Sequence, residues 1–443
     1  MIRFIPKAIN WDTIRLQYPF PTGVTIDRLN YVLSYIINRV VFDRESFSDH
    51  AVPIHFNTIM QVITNFNLIK QYLVDSKILH TTGHYIIGKQ SIKYSFYEQY
   101  SGALQKVEIT DRRIVARHTQ SNVAVVPAKY KYLQKFFNTK LKIDYDAIET
   151  AMDVVFTDLP KIFEFNPTKH RALLMSASMI HNKEFWFTVD GTSGRIHTNF
   201  TNLKREARGY ITWHGSTLSA VDLSSSQPAL LGAFLKNRMY FENNALMKRA
   251  LKSCATEVKQ MILESFKELQ ISFKIGNDLE QYISLVEQKG FYEFFQTELN
   301  DVLRLNDMPI IENRDVIKKE IITFFYCRNR TNGRGNYRKF IKRIFKQHFP
   351  TVYRAIFLLK KTNYTSLSIL LQVYERYIFI DLICPQLKAL KVKPIFTIHD
   401  SVVSSKINID TVKSVCAKII AEATGIHPNL KVEHWERGNL LQI

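Results

Sequence analysis

A strand-like apolar run near the C-terminal end, "PIFTIHDSVVSSK" (Pro394 to Lys406), carries a charged pair at its centre. Ile395, Phe396 and Ile398 lead in, His399 and Asp400 stand side by side, and Val402 and Val403 resume the pattern. A carboxylate inside a buried strand is too costly to leave without a partner. Two arrangements remove the conflict. In one, Asp400 and Ser401 form a tight turn between two strands. In the other, the tip of that hairpin presents the Asp400 carboxylate to a metal ion. The choice depends on whether the rest of the chain supplies a second acid and a substrate.

A second acid stands in "LSAVDLSSSQPALLGAFL" (Leu218 to Leu235). A short apolar strand ends at Asp222 and a helical run begins near Pro228, a residue suited to the first turn of a helix. Ordinary helix capping by Asp222 or a following serine is one reading. The functional reading sets a carboxylate at a strand end, open on one side. Two such carboxylates on neighbouring strands can hold two Mg²⁺ ions about 3.5–4 Å apart for in-line phosphoryl transfer. Mg²⁺ takes few protein carboxylates and keeps positions for phosphate oxygens; Mn²⁺ is the alternative.

A helix between the two acids adds cations. In "NRDVIKKEIITFFYCRNRTNGRGNYRKF" (Asn313 to Phe340), Arg314, Lys318, Ile322 and Tyr326 recur every four residues. At about 3.6 residues per turn that row keeps to one slowly drifting face. Two cations near the helix start would meet a triphosphate, and the tyrosine a base or sugar. The plainer alternative is a solvated charged face. Beyond the helix, Arg328, Arg330, Arg334, Arg338, Lys339, Lys342, Arg343 and Lys346 run without an acid, and Gly333 and Gly335 mark a loop. Such a row can track phosphates. Phe340 and Phe345 fit the core side of an amphipathic helix better than base stacking.

Composition points the same way. The 443 residues carry 60 Lys and Arg against 40 Asp and Glu, a net charge of +20, with 46% apolar residues. A globular protein this basic is suited to a polyanion, nucleic acid before an acidic membrane. The length suits about two to four domains. No apolar run approaches the ~18 residues that cross a bilayer. The first residues show no secretion signal. The four cysteines are scattered, which fits a reducing, cytoplasmic setting better than a zinc cluster or disulfide scaffold.

Taken in order, "VDLSSSQPALL", "RDVIKKEIITFFY" and "IHDSVV" resemble motifs A, B and C of the family A nucleic-acid polymerases, which include the bacterial DNA polymerase I type and the single-subunit phage-type RNA polymerases. "GRIHTNF" (Gly194 to Phe200) is similar to a segment before motif A, and "HFPTV" (His348 to Val352) to one after motif B. The resemblance spans about Gly194 to Ser405, under half of the chain. It implies an α+β right-hand fold with palm, fingers and thumb. It also implies that Asp222 and Asp400 hold the metals, with Lys318 as a catalytic cation. Arg314, Lys318, Ile322, Tyr326 and Gln227 would contact the nucleotide. Arg195, Gln372 and His399, with the basic row, would contact nucleic acid. The departures are Cys327 in place of a glycine, Ile322 in place of a frequent phenylalanine, and Ser401 where the DNA enzymes have a glutamate. No acidic pattern suggests a proofreading exonuclease.

The resulting expectation is a minimal template-directed nucleotidyltransferase of a phage, plasmid or other mobile element. Its partners would be a DNA or RNA primer–template, nucleoside triphosphates and replication proteins, with no membrane. A DNA polymerase is the first reading. An RNA polymerase or primase is the second, favoured by Ser401, and a non-catalytic nucleic-acid-binding replication or defence protein is the third. Gln227 bears on the first two. It stands five residues after Asp222, where the family's DNA enzymes carry a glutamate that excludes the ribose 2′-hydroxyl and the RNA enzymes a glycine. Its bulk, steadied by the Tyr326 hydroxyl, implies a preference for deoxynucleotides. The expected layout has five parts. Residues 1–125 form a helix-plus-hairpin accessory domain, winged-helix-like and mostly helical, and 126–190 a helical thumb. Palm with motif A spans 191–240, fingers with motif B 241–365, and palm with motif C 366–443.

Overall fold

The computed structural model describes residues 1–42, 51–83, 91–100, 102–121, 126–158, 167–241, 244–288, 290–329 and 337–437. Its centre is an antiparallel sheet of six strands built around Ser216–Leu223. That strand pairs along one edge with Ser401–Ser405, which continues to Phe396–Ile398. Along its other edge it pairs with Leu430–His434. Its first residues fold back on Ile211–Trp213 through His214 and Gly215, both at positive φ. Two such residues give the loop a twist that matches the strands it joins. Leu141–Ile143 closes this edge against Ile211–Trp213. That strand interrupts the segment expected to be a helical thumb. At three residues it is too short to show a period-two signal against its helical neighbours.

Helices cover the sheet. Ile409–Thr424 packs on the central strand and ends at Gly425, whose left-handed backbone closes the last turn. Ser226–Lys236, which follows Asp222, is buried from Ser226 through Leu235. Ser366–Arg376 continues through a π-helical turn, Tyr377–Ile383, into Cys384–Ala389. A second helical body contains Thr256–Ser272, Asp278–Glu287, Phe291–Arg304, Arg314–Tyr326, Arg338–His348 and Pro350–Leu359. Aromatic rings fill it: Phe295 stacks on Phe345 at 4.4 Å between centroids, and Phe324 meets Phe345 at 5.0 Å. In Arg338–His348 the apolar Phe340, Ile341, Ile344 and Phe345 face this core. Lys339, Arg343 and Lys346 stay exposed, so the aromatics there serve packing.

The N-terminal region has its own apolar core, which includes Leu29, Leu33, Ile63, Ile69 and Leu73. It is more strand-rich than the sequence suggested. Ile2–Pro6 pairs with Leu104–Glu108, and a second sheet has the order Val52–Pro53, Lys93–Phe96, Leu79–Thr82. The helices Ile26–Phe42 and Phe66–Asp75 pack on these strands, and Phe56–Met60 packs on Phe66–Asp75. In the sequence, Gly88 and Lys89 break the strand-like stretch of the expected hairpin and mark its turn; both lie outside the described residues. A buried ion pair fastens this region to the rest. Arg3 donates through Nη1 and Nη2 to Glu184 Oε1 and Oε2 at 2.7 and 2.8 Å. His118 Nε2 stands 2.9 Å from Glu184, and the Tyr31 hydroxyl 2.8 Å from His118 Nδ1.

Candidate active site

Asp222 and Asp400 meet because two strand ends meet. Asp222 is the penultimate residue of Ser216–Leu223 and stands opposite Ser401 on one side and Lys431 on the other. Asp400 follows His399 in the two-residue turn between Phe396–Ile398 and Ser401–Ser405. His399 takes a left-handed backbone, φ 51°, which a tight hairpin requires. The Leu223 N–H donates to the Asp400 carbonyl at 3.2 Å and fixes the turn against the first strand. The two sequence readings of Asp400 are therefore compatible: it lies in a tight turn, and that turn borders a cleft.

The cleft has a volume of about 590 Å³, within the ordinary range for ligand sites. Asp222, Asp400, Gln227, Arg314, Lys318, Ile322, Tyr326, Arg195 and His399 all line it. Burial and the neighbouring Asp400 charge push the Asp222 carboxyl up to about 7, against the pull of Lys318. Two carboxylates so placed repel each other until cations arrive. A larger cavity, about 720 Å³, lies between the Ala245–Leu251 and Ile409–Thr424 helices and is mostly apolar. Glu422 is the one acid among its described lining residues, whereas the smaller cleft brings Asp222 and Asp400 together.

The helix Arg314–Tyr326 starts at Asn313, whose side chain accepts from the Asp315 N–H at 2.8 Å. Ile317, Ile321, Phe324 and Phe325 anchor its buried face. The opposite face carries the i, i+4 row into the cleft. Lys318 is exposed there. Arg314 already has a partner: its Nε donates to Glu293 at 2.6 Å, and its guanidinium lies 4.8 Å from the Tyr292 ring centroid.

Arg195 is aimed by the turn before it. Asp190 Oδ1 accepts from the N–H groups of Thr192 and Ser193 at 2.8 and 2.6 Å. Its Oδ2 accepts from the Arg195 N–H at 2.9 Å. Gly194 sits at φ +75°, and a Cβ there would meet Arg376 Nε at 3.3 Å. Arg195 Nη2 then donates to both oxygens of Glu375, at 2.8 and 2.9 Å. Gln227 Nε2 donates to Glu375 Oε2 at 2.6 Å, and the Tyr326 hydroxyl donates to Gln227 Oε1 at 3.2 Å. Gln372 lies against the Tyr326 hydroxyl. Burial, with Arg195 nearby, lowers the pKa of His399, and its Nδ1 has no hydrogen-bond partner among the described residues.

Not every expected residue reaches the cleft. Arg330 and Arg334 lie outside the described residues. The Arg328 guanidinium lies over the Tyr364 ring at 4.9 Å, and Arg338 pairs with Glu320 at 3.8 Å. Neither lines the cleft. Glu375, which like Gln372 interrupts an apolar helix in the sequence, lines it too, and so do residues that were not singled out: Tyr292, Arg205, Asp315, Lys431 and Glu433. The last two had a visible signal, since "LKVEH" alternates Lys431 and Glu433 with apolar neighbours on a strand.

Asp222 and Asp400 are the residues that could hold a divalent cation. Among the described residues no group of three or more His, Cys, Asp or Glu side chains is placed to do so. A two-carboxylate donor set suits an ion that leaves most of its coordination to water and phosphate oxygens, as Mg²⁺ does. No family model matches the chain, and no curated protein does. Among solved structures, the POL domain of Pol1 from M. smegmatis, in complex with DNA primer-template and dNTP, is similar at a TM-score of 0.31 and 11% identity. The match covers 74% of this chain and 73% of that one. A likeness at that level assigns neither a fold nor an activity to this chain.

Proposed function

We propose that this chain is a template-directed nucleotidyltransferase that extends a primer from nucleoside triphosphates. One observation carries the reading. Two acids from paired strands and the Arg314–Lys318–Tyr326 face of a separate helix line the same cleft. Phosphoryl transfer asks the protein mainly for alignment and fixed charge, and this set provides both. Asp222 and Asp400 would hold Mg²⁺ or Mn²⁺, which when bound supplies charge neutralisation at the reacting phosphate. Lys318 reaches the transferring phosphate, Arg314 the outer phosphates, and Tyr326 with Ile322 the base and sugar. Arg195, His399 and Gln372 border the primer end.

In this reading the six-stranded sheet is the palm, the helices between residues 245 and 359 are the fingers, and residues 126–190, apart from the palm strand Leu141–Ile143, contribute the thumb. Residues 1–125 form a winged-helix-like accessory module for duplex nucleic acid. Gln227 favours deoxynucleotides because its bulk, held by Tyr326, borders the sugar. Ser401 favours the RNA polymerase or primase reading. Extension of a labelled primer–template with dNTPs or NTPs, beside a reaction without primer, separates the two. Binding of primer–template with no incorporation of either nucleotide would leave only a nucleic-acid-binding protein.

A further inference from the structure

Beneath the cleft, four side chains from four distant segments form one hydrogen-bonded chain: Arg195, Glu375, Gln227 and Tyr326. Glu375 is its hub. The residue is 1% exposed on a helix whose neighbours Leu370, Leu371, Val373 and Tyr374 are all buried. Its two oxygens accept three N–H bonds, two from Arg195 and one from Gln227. A buried ion pair contributes little stability over an apolar pair of the same volume. Burial and the charge of Asp400 also work against this carboxylate. Packing alone gives no reason for an acid here.

We infer that Glu375 is a positioning residue for the nucleotide sugar, acting through Gln227. This rests on the nucleotidyltransferase reading. Accepting from Nε2 fixes which way the Gln227 amide faces, because the reverse orientation would set its carbonyl oxygen against the carboxylate. The carbonyl then faces the Tyr326 hydroxyl. A free glutamine keeps substantial rotamer freedom. Held at both ends, its amide becomes a wall that cannot swing aside for a ribose 2′-hydroxyl. Bulk comes from residue 227 and the anchoring charge from residue 375.

The test is kcat/KM for dATP and for ATP on one primer–template, using the full chain. Wild type is expected to prefer dATP. Glu375→Gln should reduce that preference by about tenfold, mainly through a gain in ATP use. Gln227→Met keeps bulk and leaves the Arg195–Glu375 pair intact, so it should fold and show a similar loss. The exchange variant Gln227→Glu/Glu375→Gln restores one acid and one amide and should recover most of the preference, which a merely structural role for Glu375 would not produce. Unchanged preference in a folded Glu375→Gln or Gln227→Met, or a folded exchange variant without recovery, overturns the inference. A wild type that incorporates neither nucleotide instead removes the underlying reading.

Discussion

The backbone N–H of Leu223 donates to the carbonyl oxygen of Asp400 at 3.2 Å, tying the end of one strand to the turn of its neighbour. That bond places Asp222 and Asp400 at one rim of the cleft whatever their side chains bind. Lys318 comes from a different body of helices, so the cleft depends on how the sheet and those helices pack.

Two facing acids are expected to make the metal-free fold less stable than it could be. At pH 8, Asp222→Asn should stabilise metal-free protein by about 1–2 kcal/mol, allowing for partial exposure of the site. Mg²⁺ should raise the melting temperature of wild type and not of the variant, and the variant should not incorporate nucleotide. Calorimetry with and without Mg²⁺ checks the first two. A variant whose melting temperature responds to Mg²⁺ like wild type contradicts the assignment.

Lys318 and Arg314 should differ. Lys318 is exposed to the cleft, and Lys318→Ala is expected to cost about 3 kcal/mol of transition-state stabilisation, the scale of a preorganised charge. Arg314 is already held by Glu293, so Arg314→Ala should raise KM more than it lowers kcat. Steady-state kinetics separate the two. Equal kcat losses in both variants would contradict the division.

The Arg3–Glu184 pair sets an acid limit. Burial alone would raise the Glu184 pKa, but Arg3 and His118 hold it down to about 2. An unfolded glutamate titrates at about 4.3. The stabilisation is therefore present above that value and is lost as pH falls from about 4 towards 2. Glu184→Gln should cost about 3–5 kcal/mol at pH 7, because Arg3 remains buried without its partner. It should also flatten the pH dependence of stability in that window. Denaturant melts of both proteins at pH 3 and 7 provide the comparison.

Gly209 tests the packing that carries the end of the sheet. A Cβ at this position would lie 2.1 Å from the carbonyl oxygen of Glu436 and 2.8 Å from the backbone nitrogen of Arg437. Backbone cannot yield as a flexible side chain does. Gly209→Ala should lower stability by about 2–4 kcal/mol, in the upper range for single substitutions. A thermal melt within 1 °C of wild type would show that the segment after Leu430–His434 moves freely.

The strand that carries Asp222, the hairpin around Asp400 and the helical row from Arg314 to Tyr326 could be read locally, because each depends on a short periodic pattern. Their meeting in one cleft followed only from comparing the three. For Glu375 the sequence left two readings open, a contact to template or sugar and a satisfied polar group beside the core. In the sequence it interrupts an apolar helix, and both of its partners, Arg195 and Gln227, lie well over a hundred residues away. Nor does a run of cations show which of them has an acid beside it: Glu320 stands 3.8 Å from Arg338. Leu141–Ile143 was missed because only its pairing with Ile211–Trp213 identifies so short a segment as a strand.

Incorporation into an end-labelled primer annealed to a defined template, at saturating Mg²⁺, tests the central proposal most directly. Wild type should add the nucleotide complementary to the first unpaired template base, and Asp400→Asn, folded to the same melting profile, should add none. No addition by wild type with dNTPs or NTPs, with or without primer and with Mg²⁺ or Mn²⁺, would contradict it, as would equal addition by Asp400→Asn.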